Sequence, residues 1–298
     1  MNDKIKKFID DIEKTIHKQT ETVEKAEQLE RIKELARRYQ GEDEVISSYE
    51  ILERLKNRKD ELKIISGWGG LDNILNGFRL NQVITISAQT KSGKTSLCID
   101  LTSRLKDYNP LWLPFEEGAD ELIQKFLDRK ETPPLFFTPE NITGNTLLWV
   151  EKKIIESIAK YNTKIVFIDH LHFIVPFTAE RQDLAIGRAM RTLKQIAKRW
   201  NICIFLIAHL KKTRIESQPS LEDLRDSSFV AQESDTVIIL YRQQKRVKGQ
   251  IIITDNVNLS VQANRRTGKT GNVKMIFKDG HFYEQDWHDD EPYITNYE

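Results

Sequence analysis

The sequence predicts an α/β fold in which helices cover both faces of a mostly parallel β-sheet. Strand-like runs rich in Ile, Val and Phe occur at residues 83–86, 110–115, 164–168, 202–207 and 236–241. Helix-like segments separate the first four of these runs, at residues 95–106, 120–129, 147–160 and 183–200. Shorter apolar runs follow at residues 250–254, 258–263 and 273–277 and predict antiparallel strands added at one edge of the sheet.

The chain is predicted to have four parts: a helical extension (1–43), a linker helix (44–63), the α/β core (64–283) and an acidic tail (284–298). Thin apolar stripes in residues 1–40 fit either a helix that packs on another helix or a solvated, frayed one. Ser47 and Glu50 have the spacing of a capping box, which predicts a short helix from Ser47 to Leu55. The last eighteen residues, 281–298, carry six acidic residues and neither Lys nor Arg, and are interpreted as an exposed tail.

Composition excludes several classes of protein. The net charge of +1 gives no overall attraction to nucleic acid, so any such binding must come from local basic patches. Cys98 and Cys203 lie far apart in apolar runs, which favours buried thiols in a reducing compartment over a disulfide or a metal site. No apolar stretch is long enough to span a membrane, and the chain is expected to be cytoplasmic.

The segment SAQTKSGKTS, residues 87–96, connects the first predicted strand to a helix and resembles a phosphate-binding loop. Gly93 would let the backbone approach a phosphate, Lys94 would reach the β- and γ-phosphates, and the Thr95 hydroxyl would bind magnesium. Ala88 stands where the pattern has its first glycine, and the alternative is a purely structural turn. The predicted nucleotide contacts are Ala88, Gln89, Thr90, Lys91, Ser92, Gly93, Lys94, Thr95 and Ser96.

Acidic residues end two other predicted strands. Asp169 follows Ile165–Ile168 and is the expected second magnesium ligand, since α/β sheets bind ligands at the carboxyl ends of their strands. Glu116 and Glu117 follow the strand at 110–115 and predict a general base for the attacking water. The alternative for this pair is a solvated helix N-terminus, where Glu is favoured.

A fourth strand end carries His209, which would face the same cleft and contact the γ-phosphate. The basic, turn-rich segment that follows is predicted to contact the phosphodiester backbone through Lys211, Lys212 and Arg214, or else to be an ordinary solvated loop.

The order of these motifs resembles the RecA-like helicase core of the DnaB family, and especially its branch of phage primase-helicases and Twinkle. The segment SGWGGLD (66–72) looks like the family's lead-in, and Glu116 falls at its catalytic glutamate. The Asp169-His170 pair and the segment AHLKK (208–212) resemble the phage branch, in which a histidine senses the γ-phosphate. Residues 223–235 resemble a DLR…Q…D motif that contains Gln232, and Arg242 matches an arginine near the base.

The resemblance also implies an arginine finger that acts on the neighbouring subunit's nucleotide. In the segment NRRTGKTG (264–271) the Twinkle-like spacing selects Arg265, which we prefer, and the DnaB-like spacing selects Arg266. The family's companion lysine is replaced by Ala263 or Asn264. Phe277 would lie against the base or be a core residue of an edge strand.

The family implies an ATP- and Mg²⁺-dependent hexameric ring helicase that translocates on single-stranded DNA in replication, with 5′ to 3′ polarity. The linker helix would dock on the adjacent subunit, and the 1–40 helix or the acidic tail would contact a primase or DNA polymerase. Two alternatives remain: a RecA- or RadA-like recombination ATPase, and a nucleotide-gated replication adaptor.

Overall fold

The computed structural model describes residues 14, 22–28, 30, 31, 34, 45–57, 62–89, 92–175, 181–210, 219–224, 227–247 and 250–285. The chain divides into two compact units, Met1–Asp60 and Glu61–Glu298. None of the described helices is both long and apolar enough to cross a membrane.

The described residues of the first unit are helical before residue 35, and helix α1 spans Ser48–Lys56. Its predicted capping box is confirmed, because the Ser47 hydroxyl accepts the Glu50 N–H and the Glu50 carboxylate accepts the Ser47 N–H at 2.7 Å. None of its residues is buried within the chain, and Tyr49 and Leu55 are among the most exposed apolar side chains.

The second unit is built on an eight-stranded sheet in the order β2-β3-β4-β1-β5-β6-β7-β8. The strands are β1 Gln82–Ala88, β2 Leu111–Pro114, β3 Ile165–Asp169, β4 Cys203–His209, β5 Thr236–Val247, β6 Gln250–Asn264, β7 Gly271–Lys278 and β8 His281–Glu284. The first five in spatial order pair in parallel, and β6 to β8 add antiparallel. The predicted fold class is therefore confirmed.

Helices pack on both faces of this sheet. They are α2 Gly69–Leu75, α3 Lys94–Arg104, α4 Ala119–Asp128, α5 Leu147–Tyr161, α6 Gln182–Arg199 and α7 Ser227–Glu233. Alternate residues of each buried strand enter opposite core layers: Phe205 and Ile207 of β4 lie in one, and Ile204 and Leu206 in the other. The sequence analysis did not predict α2 or α7, which are each only seven residues long.

Two expectations about the antiparallel edge are wrong. The predicted strands at 250–254 and 258–263 are one continuous strand, β6, because Val257, between them, pairs with Arg242 of β5 and with Met275 of β7. The predicted tail does not begin at residue 281, because residues 281–284 form strand β8 on β7.

Strand β8 is held by specific contacts. Phe282 is 1% exposed, its N–H donates to Asp100 Oδ2 at 2.7 Å, and its carbonyl accepts the Trp68 indole N–H at 3.3 Å. The Glu284 carboxylate accepts the Gly70 N–H at 2.6 Å. Burial of one aromatic ring and three anchoring hydrogen bonds outweigh the acidic composition that made this stretch look solvated. Residues 286–298 of the predicted tail lie outside the described part of the chain.

Candidate nucleotide-binding site

The carboxyl ends of four adjacent parallel strands lie along one edge of the sheet. Ala88 at the end of β1 is level with His209 at the end of β4, and Pro114 of β2 is level with Asp169 of β3. Glu116 lies two residues beyond Pro114, and its N–H donates to the Asp169 carbonyl at 3.1 Å. Side chains that are far apart in the sequence thus meet at one edge, as the strand-end argument predicts.

The loop between β1 and α3 has the geometry that its sequence requires. Gly93 has φ of 96° in the left-handed region, and a Cβ there would lie 3.3 Å from Phe282 Cζ, so both the backbone and the packing favour glycine. Ala88 is fully buried as the last residue of β1 and keeps extended strand geometry, which explains why alanine is accepted there. Ser92 N–H closes the turn on the Gln89 carbonyl at 3.2 Å.

Lys94 is a buried cation at the first position of α3. It is 8% exposed, and its Nζ donates to the carbonyls of Ala88 at 3.4 Å and Gln89 at 3.5 Å. Burial lowers its pKa, and the negative charges of Asp169 and Glu116 oppose that shift. No carboxylate among the described residues lies within ion-pair distance of Nζ, so this ammonium group is suited to an anionic ligand.

Thr95 and Asp169 form a pair of oxygen ligands beside Lys94. The Thr95 hydroxyl donates to Asp169 Oδ2 at 3.1 Å, and Asp169 Oδ1 is buried with no hydrogen-bond partner. The pKa of Asp169 is raised to about 6, first by burial and then by the charge of Glu116. A hydroxyl beside a carboxylate with an unsatisfied buried oxygen fits a hard cation such as Mg²⁺, which prefers oxygen ligands.

The two glutamates after β2 have different environments. The Glu117 carboxylate forms an ion pair with Lys125 of helix α4. The Glu116 side chain is 42% exposed and faces the strand ends, with Oε2 3.7 Å from His170 Nε2. Only Glu116 therefore lies where a general base could reach a ligand held by the loop.

Three histidines gather beyond β3 and β4. The rings of His170 and His209 meet nearly perpendicular, with centroids 4.2 Å apart, and His172 lies 5.5 Å from His170. The pKa of His170 is lowered to about 3, first by burial and then by its two histidine neighbours. His170 is therefore neutral at pH 7. The sequence analysis quoted His170 without giving it a role, although its position directly after Asp169 was the available signal.

The last strands approach the other side of the loop. The Arg242 guanidinium lies 4.7 Å from the Phe277 ring centroid, and the Phe277 and Phe282 rings are 4.7 Å apart. Gln244 Nε2 donates to Gln89 Oε1 at 3.3 Å, a contact from β5 to the loop that the sequence analysis missed. Phe277 is partly buried against the core, so it combines both interpretations given to it, an edge-strand core residue that also lies near the loop.

The two candidate finger arginines lie away from this edge. Asn264, just before them, pairs with Thr236, which is level with Ile84 near the start of β1. The rise of about 3.3 Å per residue places that level roughly 13 Å from Ala88 along the strand. The structure therefore does not bring Arg265 or Arg266 to the loop of its own chain.

Arg265 and Arg266 also differ from each other. Arg266 donates to the carbonyls of Leu75 at 2.5 Å and Asn76 at 3.2 Å, at the end of helix α2. Arg265 is exposed, and none of the described residues holds its side chain.

The remaining predicted site residues are placed only in part. Gln232 is exposed on α7, and Ser96 lies in the first turn of α3. Thr90, Lys91, Lys211, Lys212 and Arg214 lie outside the described residues.

A strand-to-helix loop with a left-handed glycine, a buried lysine and a Thr–Asp oxygen pair at the carboxyl edge of a parallel sheet defines a phosphate-loop NTPase with a RecA-like core. Within this class, the model of the DnaB-like helicase C-terminal domain family matches residues 116–284. The chain belongs to that family, which confirms the resemblance drawn from its motifs.

Several curated relatives are similar over most of this chain. A probable replicative DNA helicase of Trieres chinensis is 24% identical over 252 residues, which are 71% of this chain and 54% of the relative. The replicative DNA helicase DnaC of Bacillus subtilis is 22% identical over 276 residues, which are 79% of this chain and 59% of the relative. The chain thus spans between half and three-fifths of the length of these relatives.

Two solved structures share the fold. One is an isolated ATPase domain, which has a TM-score of 0.66 at 19% identity, over 80% of this chain and 97% of that domain. The other is a DnaB-like replicative helicase, studied with its interactions with primase, which has a TM-score of 0.66 at 19% identity, over 81% of this chain and 68% of its own.

Proposed function

We propose that this chain is the ATP-hydrolysing motor of a ring helicase that moves along single-stranded DNA during replication. The observation that carries the proposal is the assembly of Lys94, Thr95, Asp169 and Glu116 at one edge of the parallel sheet. A buried ammonium group, an oxygen pair suited to Mg²⁺ and an accessible carboxylate are the groups that phosphoryl transfer to water requires.

Each group has a distinct role in the proposal. Lys94 and the backbone N–H groups of the loop bind the nucleotide phosphates, and Thr95 and Asp169 hold Mg²⁺. Bound Mg²⁺ would supply charge neutralisation at the phosphate oxygens. Glu116 orients the attacking water and accepts its proton, and His209 and Gln232 respond to the γ-phosphate. Arg242 and Phe277 bound the space for the base.

The position of Arg265 supports an oligomer. Its level in the sheet, roughly 13 Å from the loop along the strand direction, makes a contact with its own chain's γ-phosphate unfavourable. A neighbouring subunit's nucleotide is the alternative target, which fits the finger action of this class of enzyme. Arg266 is engaged by the carbonyls of Leu75 and Asn76. We therefore assign the finger to Arg265.

The exposed apolar face of α1 also fits an assembled ring. Tyr49, Ile51, Leu52 and Leu55 are all exposed within the chain, which is unfavourable for a free helix in water. Docking on an adjacent subunit would bury them. A ring of six subunits and 5′ to 3′ movement rest on the family resemblance. So do DNA contacts by Lys211, Lys212 and Arg214, and recruitment of a primase or polymerase by residues 1–40 or the tail.

The test is an ATPase assay with and without single-stranded DNA. We expect DNA-stimulated turnover in the parent chain and its loss in Lys94→Ala. Lys106→Ala is the matched control, because Lys106 is exposed in the turn that follows the same helix and should leave turnover unchanged.

Two results would replace this proposal. Nucleotide binding with negligible turnover in the parent chain would favour the adaptor. Filaments rather than rings by electron microscopy, together with strand exchange, would favour the recombination ATPase.

A further inference from the structure

Glu116, His170 and His209 form a cluster of potential metal ligands distinct from the Thr95–Asp169 oxygen pair. One ligand atom from each of the three residues lies within 4.8 Å of the other two. This arrangement joins two imidazoles and one carboxylate, whereas Mg²⁺ sites are built from oxygen alone. We infer that Glu116, His170 and His209 bind a divalent transition metal such as Zn²⁺, and that this metal inhibits ATP hydrolysis by occupying Glu116.

The geometry is close to what zinc requires. Zinc bonds of about 2.0–2.2 Å to nitrogen and oxygen place two tetrahedral ligand atoms about 3.3 Å apart. His170 Nε2 and Glu116 Oε2 are 3.7 Å apart, so a small side-chain rotation closes this pair. His170 is 8% exposed and fixed among aromatic and histidine neighbours, which provides a rigid first ligand.

The tautomer of His170 sets one cost of binding. Its Nδ1 accepts the His172 N–H at 3.3 Å, which leaves the proton on Nε2, facing Glu116. Coordination through Nε2 moves that proton to Nδ1 and gives up this hydrogen bond. The bond is long, so its loss is a small part of the balance against two new metal bonds.

Access and selectivity also fit the inference. The Glu116 side chain is 42% exposed, so a metal ion can reach the cluster from solvent and keep a water as its fourth ligand. Imidazole nitrogen favours zinc, copper, nickel and cobalt over magnesium, so millimolar Mg²⁺ should not displace the metal. A carboxylate bound to the metal has lost the lone pair with which it would accept a proton from water. The inhibition rests on the proposed role of Glu116, whereas metal binding does not.

The test of binding is a Co²⁺ titration of the full chain without a histidine tag, followed by visible absorption. We expect a tetrahedral cobalt spectrum that saturates at one equivalent per chain and is removed by Zn²⁺. Glu116→Gln and His209→Gln should each weaken binding at least about tenfold, a loss that even indirect metal partners can cause. Glu117→Gln is the matched control and should bind as the parent does, because Glu117 is paired with Lys125.

The test of inhibition measures DNA-stimulated turnover at constant excess Mg²⁺ with increasing Zn²⁺. Half-inhibition should occur at the free Zn²⁺ concentration that half-displaces Co²⁺, and a zinc-selective chelator should restore turnover. Glu117→Gln should be inhibited as the parent is. Thermal unfolding of each variant identifies any that fail to fold, and the two ligand variants on different strands make a common folding defect recognisable.

The outcomes separate this inference from the proposed function. Equal Co²⁺ affinity in the parent, Glu116→Gln and His209→Gln would overturn the metal site, whatever the ATPase result. Metal binding with unchanged or increased turnover would overturn the inhibition. Absence of turnover in the parent chain before any metal is added counts against the proposed function and leaves the cobalt titration decisive for the site.

Discussion

Replacing Asp169 by Asn should stabilise the ligand-free protein, because this carboxylate is buried at a cost to folding. Asp169 is 3% exposed, one of its oxygens has no partner, and its pKa is raised from 3.8 to about 6. Asn keeps the size of the side chain and an oxygen that can accept the Thr95 hydroxyl, but it has no charge to desolvate.

The magnitude follows from the pKa of Asp169. A pKa difference of about 2.2, at about 1.36 kcal/mol for each pH unit, corresponds to about 3 kcal/mol of unfolding free energy. Because the folded-state pKa is the higher one, the folded protein prefers the protonated carboxyl. The destabilisation is therefore fully present above pH ~6 and absent below pH ~3.8, and about half of it remains at pH 5.

Urea unfolding of the ligand-free parent and of Asp169→Asn measures the difference. We expect the variant to be more stable by about 3 kcal/mol at pH 7.5 and by about half of that at pH 5. Asp235→Asn is the control with the opposite sign, because Asp235 is also largely buried but pairs with Lys194 and accepts the Val83 N–H at 2.9 Å. An Asp169→Asn variant no more stable than the parent at pH 7.5 would refute the argument.

Adding Mg²⁺ and ATP should reverse the order of the two proteins. A ligand that binds only the folded state stabilises it by about 2.7 kcal/mol at a hundredfold excess over its dissociation constant. We expect the parent to gain this stabilisation and Asp169→Asn to lose most of it, since the variant lacks a charged magnesium ligand. An equal gain in both proteins would show that Asp169 has no part in binding the nucleotide complex.

Three further predictions concern single side chains. Glu116→Gln should lower DNA-stimulated turnover by about 10²- to 10⁴-fold, the usual contribution of a general base. Glu117→Gln should change it little, and equal losses in both would contradict the distinction between them. Arg265→Ala should remove most turnover without a change in urea midpoint, whereas Arg266→Ala should lower stability by about 1–3 kcal/mol through the unsatisfied carbonyls of helix α2. The reverse pattern would assign the finger to Arg266. Phe282→Ala should destabilise the protein by about 3–5 kcal/mol in thermal or urea unfolding, because it empties a buried aromatic position behind Gly93. A loss below about 1 kcal/mol would mean that the ring is effectively at the surface.

The sequence predicted the parallel part of the sheet and the edge that carries the site. Apolar runs bounded by Gly, Asn and acidic residues are local signals, and parallel strands bring their carboxyl ends together without further information. Lys94, Asp169 and Glu116 could therefore be expected near one another from the chain alone. Their roles in hydrolysis stay predictions.

The parts that sequence could not predict depend on tertiary contacts. Glu116 and Glu117 are chemically identical neighbours, and only the position of Lys125 on α4 separates the paired carboxylate from the accessible one. Arg265 and Arg266 are separated in the same way by the carbonyls at the end of α2. Strand β8 has one buried residue in an acidic context, which is too weak a pattern to distinguish from a tail.

The contact between Phe282 and the space above Gly93 has a consequence during synthesis of the chain. The loop leaves the ribosome well before its aromatic backing does, since roughly 190 residues separate them and elongation proceeds at about 5–20 residues/s. The delay is therefore about 10–40 s. Throughout this interval the phosphate loop has its sequence but not its support, so a competent nucleotide pocket is among the last features that the growing chain can complete.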